Sequence, residues 1–119
     1  MASAVPGADC LFCKILAGEI PSAEVASSES AYAFRDIAPR APSHVLVVPR
    51  RHLEDAAELG PADGPLLAGL FSLANEVARK EGLVSGYRLV FNVGDDAGNS
   101  VPHLHLHVLG GRVMAWPPG

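Results

Sequence analysis

Histidines stand at 103, 105 and 107, alternating with Leu104, Leu106 and Val108. A period of two is that of an extended strand, whose successive side chains point to opposite faces. The alternation therefore predicts a strand over 103–109, with His103, His105 and His107 on one face and the aliphatic residues on the other. Same-face neighbours lie roughly 6.5–7 Å apart, a spacing at which two imidazoles can flank one small anion such as a phosphoryl group. Imidazole changes charge closest to neutral pH, and its neutral form offers a nucleophilic nitrogen. His105, in the centre, can attack phosphorus to give a covalent phosphohistidine-type intermediate, while the flanking imidazoles move a proton and balance charge. The competing use of three in-phase imidazoles is a facial set of metal ligands.

Gly98-Asn99-Ser100-Val101 lies just upstream and supplies backbone N–H groups, a hydroxyl and a glycine that permits close approach, the makings of a phosphate cradle. Between Leu89 and Gly111 there is no Lys or Arg. An anion held there meets imidazoles, amides and hydroxyls without a permanent cationic clamp, which suits a singly charged phosphodiester or phosphoramidate better than a triphosphate. A second chemical feature is Cys10-x-x-Cys13, formed by the chain's two cysteines. In a reducing compartment such a pair is a metal site, free thiols or a redox couple before it is a structural disulfide.

The elements that must carry these groups are readable from periodicity and punctuation. Cys10 to Ala17 reads as a short helix ended near Gly18. Residues 22–27 and 30–35 read as two strands joined by the polar Ser27-Ser28-Glu29. His44-Val45-Leu46-Val47-Val48 is a β-branched run stopped by Pro49, as expected of a central strand. The long helix is expected to begin near Gly60-Pro61, to present Leu66, Leu70, Leu73, Ala74 and Val77 on one face, and to end after Arg79-Lys80 at Gly82. Tyr87 to Val93 reads as a further strand, and 94–99 as a turn-rich loop feeding the histidines. Hairpin-connected strands with few helices predict an α+β fold: a mainly antiparallel sheet, one long helix and one short N-terminal helix.

Length and charge restrict the function. With 119 residues, 49% of them hydrophobic, the chain can bury one core, expected over 9–119 behind a flexible tail at 1–8. A net charge of −4, with basic residues adjacent only as the pairs Arg50-Arg51 and Arg79-Lys80, argues against nucleic acid or an anionic membrane surface as partner. The first residues carry no basic and apolar leader, and the most apolar stretch, Leu66 to Ala74, is interrupted by Gly69 and Ser72. A cytoplasmic location is the expectation.

The run from His103 to Leu109 resembles the His-φ-His-φ-His-φ-φ motif of the histidine triad (HIT) superfamily. Gly98 to Gly119, with Gly110-Gly111-Arg112-Val113-Met114-Ala115-Trp116-Pro117-Pro118-Gly119, looks like its histidine triad nucleotide-binding (HINT) branch. Phe34 to His44 and Gly86 to Asn92 are similar to it too, so the likeness spans residues 9 to 119. It implies a HIT-like fold and a purine nucleoside phosphoramidase, which cleaves the P–N bond of adenosine or guanosine 5′-phosphoramidates to leave AMP or GMP. It also implies His105 as nucleophile, oriented and charge-balanced by His103, His107 and His44. Asn92, Asn99, Ser100 and the Val101 amide would hold phosphate, and Asp36 the ribose hydroxyls. Leu11, Phe12, Ile15, Phe34, Ile37 and Leu46 would wall the base, positions that by themselves read as core. Where relatives commonly have Gln and an aromatic residue, this chain has Asn99 and Pro102, beside the phosphate loop.

Zinc-carrying relatives resemble this chain in pairing two cysteines with two histidines, which implies structural zinc on Cys10, Cys13, His52 and His103. The resemblance further implies a homodimer built on the Tyr87–Val93 strand and the long helix, with each tail reaching the partner's site so that Trp116 influences the leaving group. An indole followed by two prolines at a chain end is in any case expected to dock against something.

Overall fold

The computed structural model describes residues 9–119; the tail expected at 1–8 lies outside them. The elements follow in the order α1 (Leu11–Leu16), β1 (Glu24–Ser27), β2 (Ala31–Arg35), β3 (Ser43–Pro49), α2 (Gly64–Lys80), β4 (Tyr87–Val90) and β5 (Leu106–Gly110). All neighbouring strands are antiparallel, in the order β1-β2-β3-β5-β4. The β-branched run thus becomes the middle strand, as its composition predicts, and every residue of β3 is buried. The β1–β2 turn is closed by Ser28, whose N–H donates to the Ala31 carbonyl (2.9 Å) and whose hydroxyl accepts the Ala31 N–H (3.1 Å).

Alternation along the strands divides the sheet into two faces with different work. Ala33, Val45, Val47, Leu106 and Val108 form one face and pack against Leu70, Leu73, Ala74 and Val77 of α2, all of them buried. Burying one such aliphatic side chain contributes about 1.5–3 kcal/mol relative to leaving it exposed. This face anchors the sheet. The opposite face carries Phe34, Leu46 and Val48 under Phe12 of α1, and it also carries His44 and His107. Helix α1 is held by that contact and by its own cap, in which the Cys13 N–H donates to Cys10 Sγ (3.3 Å).

Three boundaries differ from the sequence expectation by about three residues. A 3-10 turn, Pro61–Asp63, precedes α2, so Pro61 opens that turn and Pro65 occupies the first turn of the helix. Strand β4 stops at Val90, not Val93, because its pairing with β5 runs only from Tyr87↔Gly110 to Val90↔His107, near where β5 begins. Strand β5 begins at Leu106, not His103. Pro102 has no N–H for a ladder, and the His103 N–H folds back on the Val101 carbonyl (2.9 Å) in a tight turn. The three histidines therefore do not share one strand face.

Candidate active site

A cleft of about 320 Å³ opens between α1 and the sheet face that α2 leaves free. Leu11, Phe12 and Ile15 from α1, Phe34 and Leu46 from the sheet, and Asp36 and Ile37 from the β2–β3 loop line it, together with Asn92, Ser100, Val101, His105 and His107. Its size is at the lower end of small-molecule sites, and its many apolar walls with a few convergent polar groups are typical of them. Register explains the convergence: Phe34 pairs with Leu46 and Leu46 with His107, so the three stand in a row across one face. His44 pairs with Leu109, which makes His107 its diagonal neighbour within side-chain reach. Gly98 closes the turn after residues 95–97 in the left-handed region (φ 78°), a conformation a side chain would strain, and thereby delivers Ser100 and Val101 to the cleft.

The hydrogen bonds fix where each imidazole proton resides. His105 Nδ1 lies 2.7 Å from the His103 carbonyl, so Nδ1 carries the proton and Nε2 keeps the lone pair, on a ring that lines the cleft. His44 Nδ1 accepts the Arg40 N–H (2.9 Å), so its proton is on Nε2 and donates to His107 Nδ1 (2.8 Å). The remaining His107 proton is then on Nε2, 3.5 Å from Asn92 Nδ2, and it can bond to that amide only through its oxygen, with the amide turned over. The rings of His105 and His107 are 4.9 Å apart. One imidazole thus offers a lone pair and its neighbour a donor.

Charge on these rings is opposed by burial. Desolvation, then the nearby His105 and His44, push His107 down to about 4 against the opposing pull of Asp36. Burial also lowers His105 and His44. Burial therefore favours the neutral imidazole at all three rings, the nucleophilic form. Arg35 is at the rim, yet its guanidinium is engaged by Glu81 in two bonds (2.7 and 2.8 Å), with Ser43 Oγ donating to the same carboxylate (2.9 Å). Among the described residues, the one Arg or Lys that lines the cleft is therefore already paired.

His103 occupies a different place from the one the alternation predicts. It is fully buried and outside the cleft, and only its carbonyl reaches the site, as acceptor for His105. Its Nε2 proton is directed at the Pro49 carbonyl (3.1 Å), leaving Nδ1 bare toward Cys10 Sγ (3.3 Å), Cys13 Sγ (3.4 Å) and His52 Nδ1 (3.1 Å). His52 Nδ1 is in turn 3.3 Å from Cys13 Sγ. A tetrahedral zinc shell places neighbouring sulfur and nitrogen ligands about 3.3–3.6 Å apart, so the four side chains fit such an ion in type and spacing. Burial and the adjacent Cys10 push the Cys13 thiol up to about 11, so without a cation this sulfur is a poor nucleophile. Asp36, His44 and His107 also lie close enough to share an ion. There, however, the Arg40 N–H on His44 Nδ1 forces a proton onto the nitrogen a metal would need.

Two further expected residues lie outside the cleft. The Asn99 side chain does not line it, and its buried Oδ1 has no hydrogen-bond partner. Trp116 is 81% exposed and does not line its own chain's cleft. His44 does not line the cleft either; it is buried and hydrogen-bonded to His107, which does. Conversely, Ile20 and Pro21 line the cleft although no sequence pattern singles them out. They lie four and five residues past the end of α1, so the helix that supplies Leu11, Phe12 and Ile15 brings them along.

Fold and site together define a family. The HIT domain matches residues 17–114, and the chain belongs to the HIT family. A crystal structure of a HIT family hydrolase from Legionella pneumophila superposes with a TM-score of 0.90 at 49% identity, covering 93% of this chain and all of that one. A histidine triad nucleotide-binding protein from Candida albicans superposes with a TM-score of 0.78 at 30% identity, over 93% of this chain and 85% of that one. An uncharacterized HIT-like protein of Synechococcus elongatus is 44% identical over 111 residues, 93% of this chain and 97% of the relative.

Proposed function

We propose that the protein is a purine nucleoside 5′-phosphoramidate hydrolase of the HINT type, acting through a nucleotidyl intermediate on His105. The observation that carries this reading is the His105 ring, with Nδ1–H held by a backbone carbonyl and its lone pair left on a cleft-lining ring. The Nε2 pair forms a bond to phosphorus as the P–N pair departs with the amine, which takes a proton and leaves. Water then attacks the same phosphorus, the bond to His105 breaks, and the proton from water returns to the histidines. The net reaction is phosphoramidate plus water to mononucleotide plus amine. Ser100, Asn92 and the Val101 amide meet the phosphoryl oxygens, Asp36 the ribose, and the apolar walls an adenine or guanine. The nucleotide-binding and hydrolase descriptions of the Candida and Legionella relatives support the same class.

Two further features belong to this reading. Zinc on Cys10, Cys13, His52 and His103 would tie α1 to the segment bearing His105, supplying folding energy and no reacting group. A homodimer would cover the edge of β4, where Val84 and Val113 are each 96% exposed beside a hollow of about 570 Å³. The tail with Trp116 would then meet the partner copy. No helix among the described residues is long and apolar enough to cross a membrane, and two unoxidised thiols suit a reducing cytoplasm.

The test is direct. Adenosine 5′-phosphoramidate should be converted to AMP, with a trapped adenylyl adduct mapping to His105. His105→Ala should abolish turnover while AMP still binds. Activity within tenfold of wild type, or an adduct on His107, would reject the assignment.

A further inference from the structure

We propose that Asp36 is the counter-charge of the His44–His107 pair, a positioning residue for the proton that the reaction spends, and that this role is separate from any contact with the sugar. The inference rests on the hydrolase reading above. Asp36 follows β2 directly, and its side chain is only 20% exposed. Its Oδ1 accepts the Ala38 N–H (2.9 Å), which locks the carboxylate, and its Oδ2 stands 3.4 Å from His44 Nε2. His44 Nε2–H donates in turn to His107 Nδ1 at 2.8 Å. Carboxylate and two imidazoles form one contiguous set.

Counting protons along that set shows why a carboxylate is needed. In the neutral state His44 holds one proton, on Nε2, because the Arg40 N–H occupies Nδ1. His107 likewise holds one, on Nε2. If His107 gives that proton to the departing amine, it becomes an imidazolate. If it also takes the proton of His44, His44 becomes the imidazolate. Neither anion is accessible near neutral pH, so the pair must take one proton from solvent before the amine leaves. That proton enters at His107 Nδ1, making an imidazolium, and the His44 Nε2–H turns from this nitrogen to Asp36 Oδ2, 3.4 Å away. Burial opposes that extra proton, and so do Arg40 beside His44 and His105 beside His107. Asp36 is the group that favours it at both rings. Among the cleft-lining residues it is the one carboxylate, and the nearby Arg35 is already paired with Glu81.

A partly exposed opposite charge at this range shifts a histidine by about one to two pKa units, so removing it should lower the protonated population, and with it kcat, about 10- to 100-fold. The discriminating substrates are adenosine 5′-phosphoramidate and its 2′,3′-dideoxy counterpart, which has no hydroxyl for Asp36 to hold. Asp36→Asn keeps an oxygen for the Ala38 N–H, and Asp36→Ala serves as a second variant without charge. Both should lose about 10- to 100-fold in kcat on the dideoxy substrate as well as on the ribose one. The basic limb of kcat against pH should move down by about a unit or more. Asp36→Glu, which retains the charge, should recover part of the loss. A loss confined to KM of the ribose substrate, with wild-type kcat on the dideoxy substrate, would reduce Asp36 to a sugar ligand and overturn the proposal. Absence of turnover by the wild-type protein on both substrates would instead overturn the hydrolase reading along with it.

Discussion

His107 gives the sharpest link between burial and a measurable quantity. Its pKa in the fold is about 4, first through desolvation and then through His105 and His44, against about 6.5 in an unfolded chain. Between those values the unfolded state binds a proton that the native state refuses, so stability falls as pH falls. The contribution is complete above about pH 6.5 and is lost progressively as pH drops toward 4. Each pH unit in this window is worth about 1.36 kcal/mol for one fully shifted group, so acidifying from 6.5 to 5 removes up to about 2 kcal/mol. Screening through the open cleft trims this to about 1–2 kcal/mol, several degrees in Tm for a domain of this size. The window ends at pH 5 so that carboxylate titration adds little. The measurement is urea unfolding of wild type and His107→Gln at fixed protein concentration at pH 7, 6 and 5. The difference in unfolding free energy between the two proteins should change by about 1–2 kcal/mol across the series, with wild type losing more. A difference constant across pH would show that His107 is protonated as easily in the fold as outside it, and the neutral-imidazole account of the cleft would fail.

Other outcomes follow from the same geometry. One zinc per chain should copurify, and Cys10→Ser with Cys13→Ser should remove it and lower Tm while leaving hydrolysis measurable; metal-free wild type with an unchanged melt would refute the zinc site, and total loss of activity would point to a catalytic metal. Sedimentation should find a dimer at micromolar concentration, and deleting 114–119 should leave it folded and dimeric with altered preference among amine leaving groups; a wild-type monomer, or kcat/KM unchanged for every substrate, would refute the role of the tail.

Much of the architecture was legible in the chain because it rests on local periodicity. The spacing of Leu70, Leu73, Ala74 and Val77 specified the buried face of α2, and the unbroken apolar, valine-rich run from Val45 to Val48 specified a strand covered on both sides. The alternation around His107 also had its consequence, since Leu106 and Val108 do turn to the helix while His107 turns to the cleft. Residue type limited the chemistry as well: imidazoles, amides and a hydroxyl, with no Lys or Arg between Leu89 and Gly111.

Tertiary structure decided which partners each histidine meets. Alternation alone made His103, His105 and His107 equivalent, but their partners are remote in sequence. His103 turns to Cys10, 93 residues away, and to the Pro49 carbonyl, while His107 meets His44, 63 residues away. Such partners fix which ring nitrogen keeps its proton, and so which imidazole can attack, which can donate and which can face a metal. No local pattern encodes that choice, because a tautomer is selected by whichever donor or acceptor the folded chain brings within hydrogen-bonding distance.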